Sequence, residues 1–288
     1  MYNYKKEQPK ISIIVLTYNH EKYIQKALDS ILMQKTNYQF EILIGDDAST
    51  DGTSDIVRSY AEKYPNVIRA YIREKNLGAT ENLYQLLKVA KGDYIASCEG
   101  DDFWSNSDKL QMQIEYLENK LDVVGCTHIC GFVDENDNPI NMNLKWISEK
   151  SVFTLDDFKG YILPGHPATL TYRNIFKDTS HDFSIIKTAS SMVADRTIVL
   201  ILLLYGDIHQ LKDVMSCYRI YVNRDARNLT NVMFKNNPDS NLMQYRLTKK
   251  LENYTYKEFN IKVFFWRFKI EQCVKYVIKK VLRKVGLR

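Results

Sequence analysis

The sequence lacks several features that would fix its class at once. No stretch approaches the roughly 20 apolar residues of a membrane-spanning helix, and the longest apolar run, Ile198 to Tyr205, is typical of a buried helix segment. Only 11 glycines and 6 prolines in 288 residues exclude collagen-like and linker-rich chains. The polar N-terminus, Met1 to Lys10, has no apolar core of the kind found in secretory signals. Five cysteines, an odd number, predict reduced thiols in a cytosolic protein rather than a disulfide framework.

A net positive charge is absent from most of the chain and is confined to its C-terminal tail. The formal net charge is +5, but residues 249–288 hold twelve basic and three acidic residues, which is a net charge of +9. The remainder is therefore net −4. This distribution argues against a body that binds nucleic acid and predicts an anionic partner for the tail alone.

The first third of the chain alternates β-branched runs with helical periodicity. Strands are expected at Ile11–Thr17, Phe40–Gly45, Val67–Ile72 and Tyr94–Cys98, and helices between them at Glu21–Gln34, Asp55–Tyr64 and Leu77–Lys91. This repetition predicts a parallel sheet with right-handed crossovers. Ligands of such sheets bind beyond the carboxyl ends of the strands.

After residue 121 the pattern becomes mixed α+β. Strands are expected at Val123–Val133, Ala168–Tyr172 and Val214–Val222, helices at Phe153–Tyr161 and Met192–Tyr205, and a polar loop at Asn223–Asn241. We expect one domain over residues 1–222, with halves at about 10–120 and 121–222. Residues 223–288 then form the polar loop and a basic, amphipathic helical tail.

Two acidic clusters directly follow predicted strands. The first spans residues 45–53 and contains Asp46 and Asp47, and the second spans residues 99–104 and contains Asp101 and Asp102. Adjacent carboxylates repel each other, and a hard divalent cation such as Mg²⁺ or Mn²⁺ neutralises them. Either cluster alone is also typical of a solvated turn or a helix cap. Two of them at one sheet edge favour a binding site.

Other motifs are missing or ambiguous. No glycine-rich dinucleotide fingerprint follows the first strand, and no phosphate-binding loop ends in Lys-Ser or Lys-Thr. The spacing of Cys126, His128 and Cys130 superficially resembles a zinc site. Its alternation within an apolar run, without a second Cys/His pair, favours a buried strand.

Taken together, the motifs resemble a family 2 glycosyltransferase with the GT-A fold. The matching segments are Ile13–Asn19, Asp46–Thr53, Asn76-x-Gly78, Gly92–Ile95, Glu99–Trp104, Asp195, Tyr205-Gly206 and Tyr218-Arg219, in that order. The resemblance covers roughly residues 10–222. It implies an α/β GT-A architecture: a Rossmann-like, mostly parallel central sheet flanked by helices, an α+β acceptor-side half and a C-terminal helical tail.

The resemblance also implies roles for individual residues. Nucleotide-sugar binding falls to Thr17, Tyr18, Asn19, Asp46, Asp47, Arg73 and Asp101, and a divalent cation (Mn²⁺ or Mg²⁺) to Asp101 and Asp102. Asp195 is expected to be the general base; the alternative is a structural carboxylate that caps the helix or pairs with Arg196. Trp104, His166 and Arg219 are expected on the acceptor side. Glu99 stands where the family usually has Asp.

The implied activity is an inverting transfer of a sugar from a nucleotide-diphosphate sugar, with UDP favoured, to a hydroxyl of a glycan or glycolipid acceptor during surface polysaccharide synthesis. The alternatives are a nucleotidyltransferase and a non-catalytic GT-A-like binding module.

The tail carries an apolar stripe flanked by lysines and arginines, a pattern that predicts binding to an anionic membrane surface. Packing on the protein's own core or on a homodimer partner is the alternative. We therefore expect a cytoplasmic protein, peripheral at the inner face of the cell membrane.

Overall fold

The structure, a computed structural model, describes residues 10–159, 161–190, 193–221 and 239–284. Its strands are β1 (Ile11–Thr17), β2 (Phe40–Asp46), β3 (Ile68–Ile72), β4 (Tyr94–Glu99), β5 (Phe103–Trp104), β6 (Val123–Val133), β7 (Val152–Phe153), β8 (Thr171–Arg173) and β9 (Asp207–Arg219). Its helices are α1 (Ile24–Leu32), α2 (Thr53–Lys63), α3 (Ala79–Val89), α4 (Lys109–Glu118), α5 (Leu155–Phe158), α6 (Ile185–Thr188), α7 (Asp195–Leu202), α8 (Ser240–Phe259) and α9 (Trp266–Lys284).

The strands form one sheet in the order β3-β2-β1-β4-β8-β6-β9-β5, with β7 beside β9. The first four strands are parallel, as their alternation with helices predicts. From β8 onward the sheet is mixed, since β8 runs antiparallel to both β4 and β6 while β9 runs parallel to β6. The parallel first half and the mixed second half are both as the sequence predicts.

Hydrophobic side chains cover both faces of this sheet. One face packs on α1, α2 and α4, where the periodic apolar residues Ile24, Leu28 and Ile31 of α1 are fully buried. The other face packs on α3 and on α6 to α8. Burial on both faces explains why the central strands are continuous apolar runs rather than alternating ones.

The C-terminal tail belongs to this same core. Leu247 and Leu251 of α8 are buried in the cluster that covers the second face. Between α8 and α9 the chain turns at Asn260, whose positive φ of 55° ends α8. Phe265 then inserts between Phe158 and Tyr161, with ring centroids 5.7 Å from each. The tail is therefore two helices docked on the domain, not one separate helix.

Several predicted elements differ from the structure. Helix α4 and strand β5 were not predicted, and β9 begins at Asp207 rather than Val214. Residues 167–169 form a 3-10 turn before the short strand β8, and Phe153 lies in β7 rather than in a helix. The expected loop Asn223–Asn241 and the strand end at Val222 lie largely outside the described residues, because 222–238 are not among them.

Candidate functional site

The carboxyl ends of three neighbouring parallel strands bring the predicted nucleotide-binding residues to one edge. The strand register places Thr17 of β1 opposite Asp46 of β2, and Leu16 of β1 opposite Glu99 of β4. Residues far apart in sequence therefore meet at this edge, where parallel α/β sheets bind ligands.

The first acidic cluster has its carboxylates satisfied within the protein. Asp46 is fully buried and accepts hydrogen bonds from the backbone N–H of Ser49 and from the hydroxyls of Ser49 and Ser54. Asp47 accepts from the backbone N–H groups of Leu77 (2.7 Å) and Gly78 (2.9 Å). These bonds make Asp46 a clamp on the loop that enters α2.

Gly78 explains why the loop after β3 can reach Asp47. Its φ of 85° lies in the region that favours glycine, and its N–H points at both Asp47 and the side chain of Asn76. Asp47 thereby holds the N-terminus of α3 against the end of β2.

The loop after β1 is locked to the loop after β2. The Asn19 side chain accepts from the backbone N–H of Thr50 at 2.8 Å, and the backbone N–H of Asn19 donates to the Ser49 hydroxyl at 2.9 Å. Asn19 has a φ of 58°, a backbone that asparagine tolerates better than most residues. This arrangement leaves the Tyr18 ring 44% exposed at the sheet edge, free to lie against a planar ligand group.

Arg73 lies where β3 leaves the sheet. Its Nε donates to the side-chain oxygen of Asn82 at 3.1 Å. Its guanidinium carbon, Cζ, lies 5.5 Å from the centre of the Tyr71 ring. One guanidinium nitrogen, Nη2, is buried without a hydrogen-bond partner among the described residues. A buried guanidinium donor of this kind can bind an oxygen of a nucleotide.

The second acidic cluster differs, because its two aspartates have opposite surroundings. Asp102 is buried and accepts from the backbone N–H of Arg219 at 2.9 Å. Burial first, and then the charges of Asp101 and Glu99, raise its pKa well above the ordinary value. The geometry thus turns Asp102 inward toward β9.

Asp101 faces the cleft instead. Its Oδ2 accepts from the Tyr221 hydroxyl at 3.0 Å and lies 3.7 Å from His20 Nε2. Its Oδ1 is buried and has no partner among the described residues. A buried carboxylate oxygen without a partner fits a divalent cation, which prefers oxygen ligands. No group of three metal-ligating side chains occurs in the described part of the chain, so the remaining ligands of such an ion would come from substrate or water.

Glu99 and Asp195 complete an electrostatically linked group. The Glu99 side chain opens into the cleft, but protein atoms crowd its carboxyl. This loss of hydration, followed by the charges of Asp101 and Asp195, raises its pKa to about 8. Burial also raises the pKa of Asp195, with Arg196 opposing the rise. The effect of the Asp195 charge on Glu99 indicates that the two carboxyls are near each other in the fold, although they are 96 positions apart in the sequence.

The predicted acceptor-side residues lie in the interior behind this cleft. Trp104 is 1% exposed beneath the Lys109 amine, and His166 is 5% exposed and stacks on Tyr218. Arg219 is 1% exposed, donates to the Asp101 and Asp134 carbonyls, and pairs with Asp137 at 2.7 Å. Of the three residues, Arg219 holds the Asp101–Asp102 turn directly, while Trp104 and His166 are buried beside Lys109 and Tyr218, so their acceptor-side role stays a prediction.

His20 and Tyr221 were not predicted, although both contact Asp101. His20 directly follows the Tyr18-Asn19 pair at the sheet edge, and this position was the available signal. Its Nδ1 lies 3.3 Å from the Thr17 hydroxyl. Gly100 packs closely against Thr17 and His20. A Cβ at this position would lie 2.6 Å from Thr17 Oγ1 and 2.8 Å from His20 Nδ1, which is too close for any other residue without a shift of these side chains.

A pocket of about 460 Å³ lies beside Asp195. Asp195 and Arg196 line it from α7, Leu242 and Arg246 from α8, Tyr276 from α9, and Tyr161 from the loop after α5. Most of its wall is apolar, with cationic side chains at intervals. Asp195 thus lines this pocket, and its charge also acts on Glu99 of the second acidic cluster.

Comparison with proteins of known sequence identifies several relatives. An uncharacterised protein of Mycobacterium tuberculosis (strain ATCC 25618 / H37Rv) is 42% identical over 118 residues, which are 41% of this chain and 34% of that protein. TuaG of Bacillus subtilis (strain 168), provisionally named as a teichuronic acid biosynthesis glycosyltransferase, is 38% identical over 110 residues, covering 38% of this chain and 42% of TuaG. The matched regions thus span only about a third to two fifths of these relatives.

Solved structures share the fold. Staphylococcus aureus TarS 1–349 in complex with UDP-GlcNAc aligns with a TM-score of 0.64 and 21% identity over 92% of this chain and 71% of TarS 1–349. The mannosyltransferase PcManGT from Pyrobaculum calidifontis, in complex with GDP-Man and Mn²⁺, aligns with a TM-score of 0.51 and 17% identity, over 94% of this chain and 70% of PcManGT. These matches confirm the GT-A class of the central sheet and its helices.

The family model described as "Glycosyl transferase family 2" matches residues 12–179, more than half of the chain. This match spans both acidic clusters and the strands that carry them, and the motifs in Ile13–Asn19 and Glu99–Trp104 lie inside it. The chain therefore belongs to glycosyl transferase family 2.

Proposed function

We propose that this protein is an inverting glycosyltransferase that transfers a sugar from a nucleotide-diphosphate sugar to a hydroxyl of an acceptor. The observation that carries the proposal is that two carboxylates with different properties both act on Glu99 at the end of β4. Asp101 offers an unpaired oxygen, and Asp195 has a raised pKa beside an open pocket. A cation-binding carboxylate and a separate base are the two acidic groups that such a transfer needs.

The donor would lie across the ends of β1, β2 and β4. The exposed Tyr18 ring can stack on the base, while the unpaired Arg73 nitrogen can bind a base or ribose oxygen. Thr17, Asn19 and Asp46 would shape the pocket through the hydrogen bonds that fix its loops, and Asp47 would bind the base with the lone pairs that Leu77 and Gly78 leave free. TarS in complex with UDP-GlcNAc supports UDP as the nucleotide.

A Mn²⁺ or Mg²⁺ ion would bind at Asp101 Oδ1, where it supplies positive charge beside the diphosphate that leaves. PcManGT in complex with GDP-Man and Mn²⁺ supports this assignment. The inward-turned Asp102 would act by fixing the turn through Arg219. Tyr221 would orient Asp101 by donating to Oδ2, so that Oδ1 stays directed at the cleft.

Asp195 would act as the general base. Its raised pKa makes its carboxylate a stronger base than that of an ordinary aspartate. The acceptor hydroxyl gives its proton to Asp195, and the oxygen attacks the anomeric carbon as the bond to the diphosphate oxygen breaks. The nucleoside diphosphate leaves with the bonding electron pair, and the anomeric configuration inverts.

The acceptor would bind in the pocket beside Asp195 and would be a glycan or a lipid-linked glycan. The provisional name of TuaG, which places that protein in teichuronic acid biosynthesis, supports a role in surface polysaccharide synthesis. No helix in the described ranges is long and apolar enough to span a bilayer. A cytoplasmic location is part of the proposal, and the partner of the C-terminal tail is argued separately below.

A nucleotide-sugar screen tests the reaction. We expect UDP-sugars to raise the melting temperature in the presence of Mn²⁺, and at least one to release nucleoside diphosphate. A nucleotidyltransferase would instead release inorganic diphosphate, and a binding module would release neither. Absence of both binding and release with every UDP- and GDP-sugar, with and without Mn²⁺, would contradict the proposal.

A further inference from the structure

Helix α9 has one face inside the protein. Gln272 is 4% exposed, and its side chain accepts a hydrogen bond at 2.6 Å from Asn241 of α8. Lys269 pairs with Glu252 of α8 at 2.6 Å, and the Phe268 ring lies 4.2 Å from that of Tyr161. These contacts fix the rotation of α9 about its own axis, so its opposite face must point outward.

That outward face is apolar. Along α9 its large hydrophobic side chains recur every three or four residues, and each is between 36% and 58% exposed: Trp266, Ile270, Val274, Val277, Ile278, Val281 and Leu282. Phe264, just before the helix, is 57% exposed. A helix in contact with water alone does not usually expose such a continuous apolar stripe.

Positive charge borders the stripe. Helix α9 carries seven lysines and arginines and one acidic residue, Glu271, which gives it a net charge of +6. Lys275 and Lys280 are exposed on the two sides of the stripe, and Arg267 lies beside Trp266, 5.1 Å from the centre of its ring. Aromatic, aliphatic and cationic side chains in this arrangement match the interface of an anionic bilayer, where apolar groups enter the acyl region and cations contact headgroups.

We propose that the outward face of α9 binds the surface of an anionic membrane. Charge decides between this partner and a second copy of the chain. Two copies that paired through this face would bring two helices of net charge +6 together, whereas anionic lipid headgroups neutralise the same charges. The stripe and its flanking cations thus define one surface, and this surface goes beyond the transfer reaction proposed above.

Vesicle flotation of the full chain tests the surface. We expect the protein to float with vesicles of phosphatidylcholine and phosphatidylglycerol, and much less with phosphatidylcholine alone. The double change Val274→Asp and Val277→Asp should weaken binding to the anionic vesicles at least about tenfold, because it places charge in the apolar stripe. Lys275→Glu with Lys280→Glu should weaken it roughly tenfold or more and remove most of its salt dependence.

Matched controls keep the result specific. Leu121→Asp changes a side chain that is 83% exposed on the body of the protein, and Lys120→Glu reverses an exposed charge there. Both should leave flotation unchanged, and circular dichroism should show that all variants are folded. Wild-type protein that fails to bind anionic vesicles, or double variants that bind as the wild type does, would overturn the proposal.

Molar mass by light scattering completes the test. A dimer that becomes a monomer in the valine variant, without vesicle binding by the wild type, would assign the face to a second copy and overturn the membrane assignment. Nucleoside diphosphate release in solution should be the same in all variants. If the wild-type protein released no nucleoside diphosphate, this result would contradict the proposed reaction but would not affect the conclusion from flotation.

Discussion

The two acidic clusters lie on one sheet edge and share a composition, but the structure treats them in opposite ways. In the first, buried Asp46 accepts three hydrogen bonds and Asp47 accepts two from backbone amides. In the second, Asp101 and Asp102 each keep a buried oxygen without a partner in the described part of the chain, and loss of hydration raises the pKa of both Glu99 and Asp102. Unsatisfied and electrostatically strained groups are unusual in a stable fold and are concentrated where ligands bind. We therefore propose that the first cluster mainly fixes the loops of the donor site and that the second carries the reacting groups.

Asp101→Asn should have the largest effect on this contrast. We expect nucleoside diphosphate release to fall by roughly 10³-fold, because the cation loses its anionic ligand. The free energy of unfolding should not fall, since Asn can still accept from Tyr221 and the change removes repulsion with Glu99 and Asp102. Steady-state release with Mn²⁺ and urea unfolding measure the two effects. Activity within tenfold of the wild type would mean that Asp101 is not the cation ligand.

Asp195→Asn should have the next largest effect. Removal of the base should lower transfer by ~10²-fold or more while donor affinity and melting temperature stay the same. Because the base must be ionised, and burial raises its pKa, the acid limb of the wild-type pH–rate profile should lie above the pH expected for an ordinary aspartate. If Asp195 were instead a structural partner of Arg196, the same change would mainly lower stability.

A matched pair of substitutions, one in each acidic cluster, compares how much the two clusters contribute to the free energy of unfolding. Asp46→Asn should lower the free energy of unfolding by about 2–3 kcal/mol, since an amide cannot accept from all the donors that the buried carboxylate satisfies. Asp102→Asn should change it by less than about 1 kcal/mol, because burial and the charges of Asp101 and Glu99 disfavour a charged group here and the amide oxygen can still accept from Arg219. Equal losses in urea unfolding would remove the distinction between the clusters.

The smallest expected effect concerns a buried titratable group far from the edge. His128 donates to the Ile129 carbonyl at 2.9 Å, and burial, followed by the charge of Lys109, lowers its pKa to about 3. The unfolded chain binds this proton near pH 6.5 and the folded protein does not, so stability is lost as pH falls from 6.5 toward 3.

The change His128→Phe should remove part of that loss, about 1–2 kcal/mol between pH 6.5 and 5, without changing transfer. Urea unfolding at the two pH values measures it, with wild-type protein as the reference. An altered transfer rate would show that the buried histidine is more than structural.

The sequence predicts the fold well where one physical signal dominates. The bounds of β1 and β6 agree with the prediction because long β-branched runs leave little alternative. Helix α4 was missed because its buried face includes Lys109 and Gln113, which hydrogen-bond each other inside the core and interrupt the apolar period. The turn at Asn260 was missed because the residues on both sides of it are helical in character.

The site was predictable as an edge but not as a set of roles. Asp101 and Asp102 are adjacent and chemically identical, and only the docking of β9, through the Arg219 backbone, turns one of them inward. The contact of Tyr221 with Asp101 joins positions 120 residues apart, so no local pattern could indicate it. The resemblance to the family indicates which residues form the proposed site, while tertiary contacts determine the role that we propose for each of them.

The burial of Phe265 has a consequence for orientation. A flexible tether to a surface limits distance and leaves the attached domain free to rotate. Phe265 is fully buried, and its ring packs against two aromatic rings of the domain, so α9 cannot swivel independently of the sheet. Any surface that binds the outward face of α9 therefore also sets the orientation of the proposed catalytic cleft. Because Tyr276 of the same helix lines the pocket beside Asp195, the distance from that surface to the pocket is fixed as well.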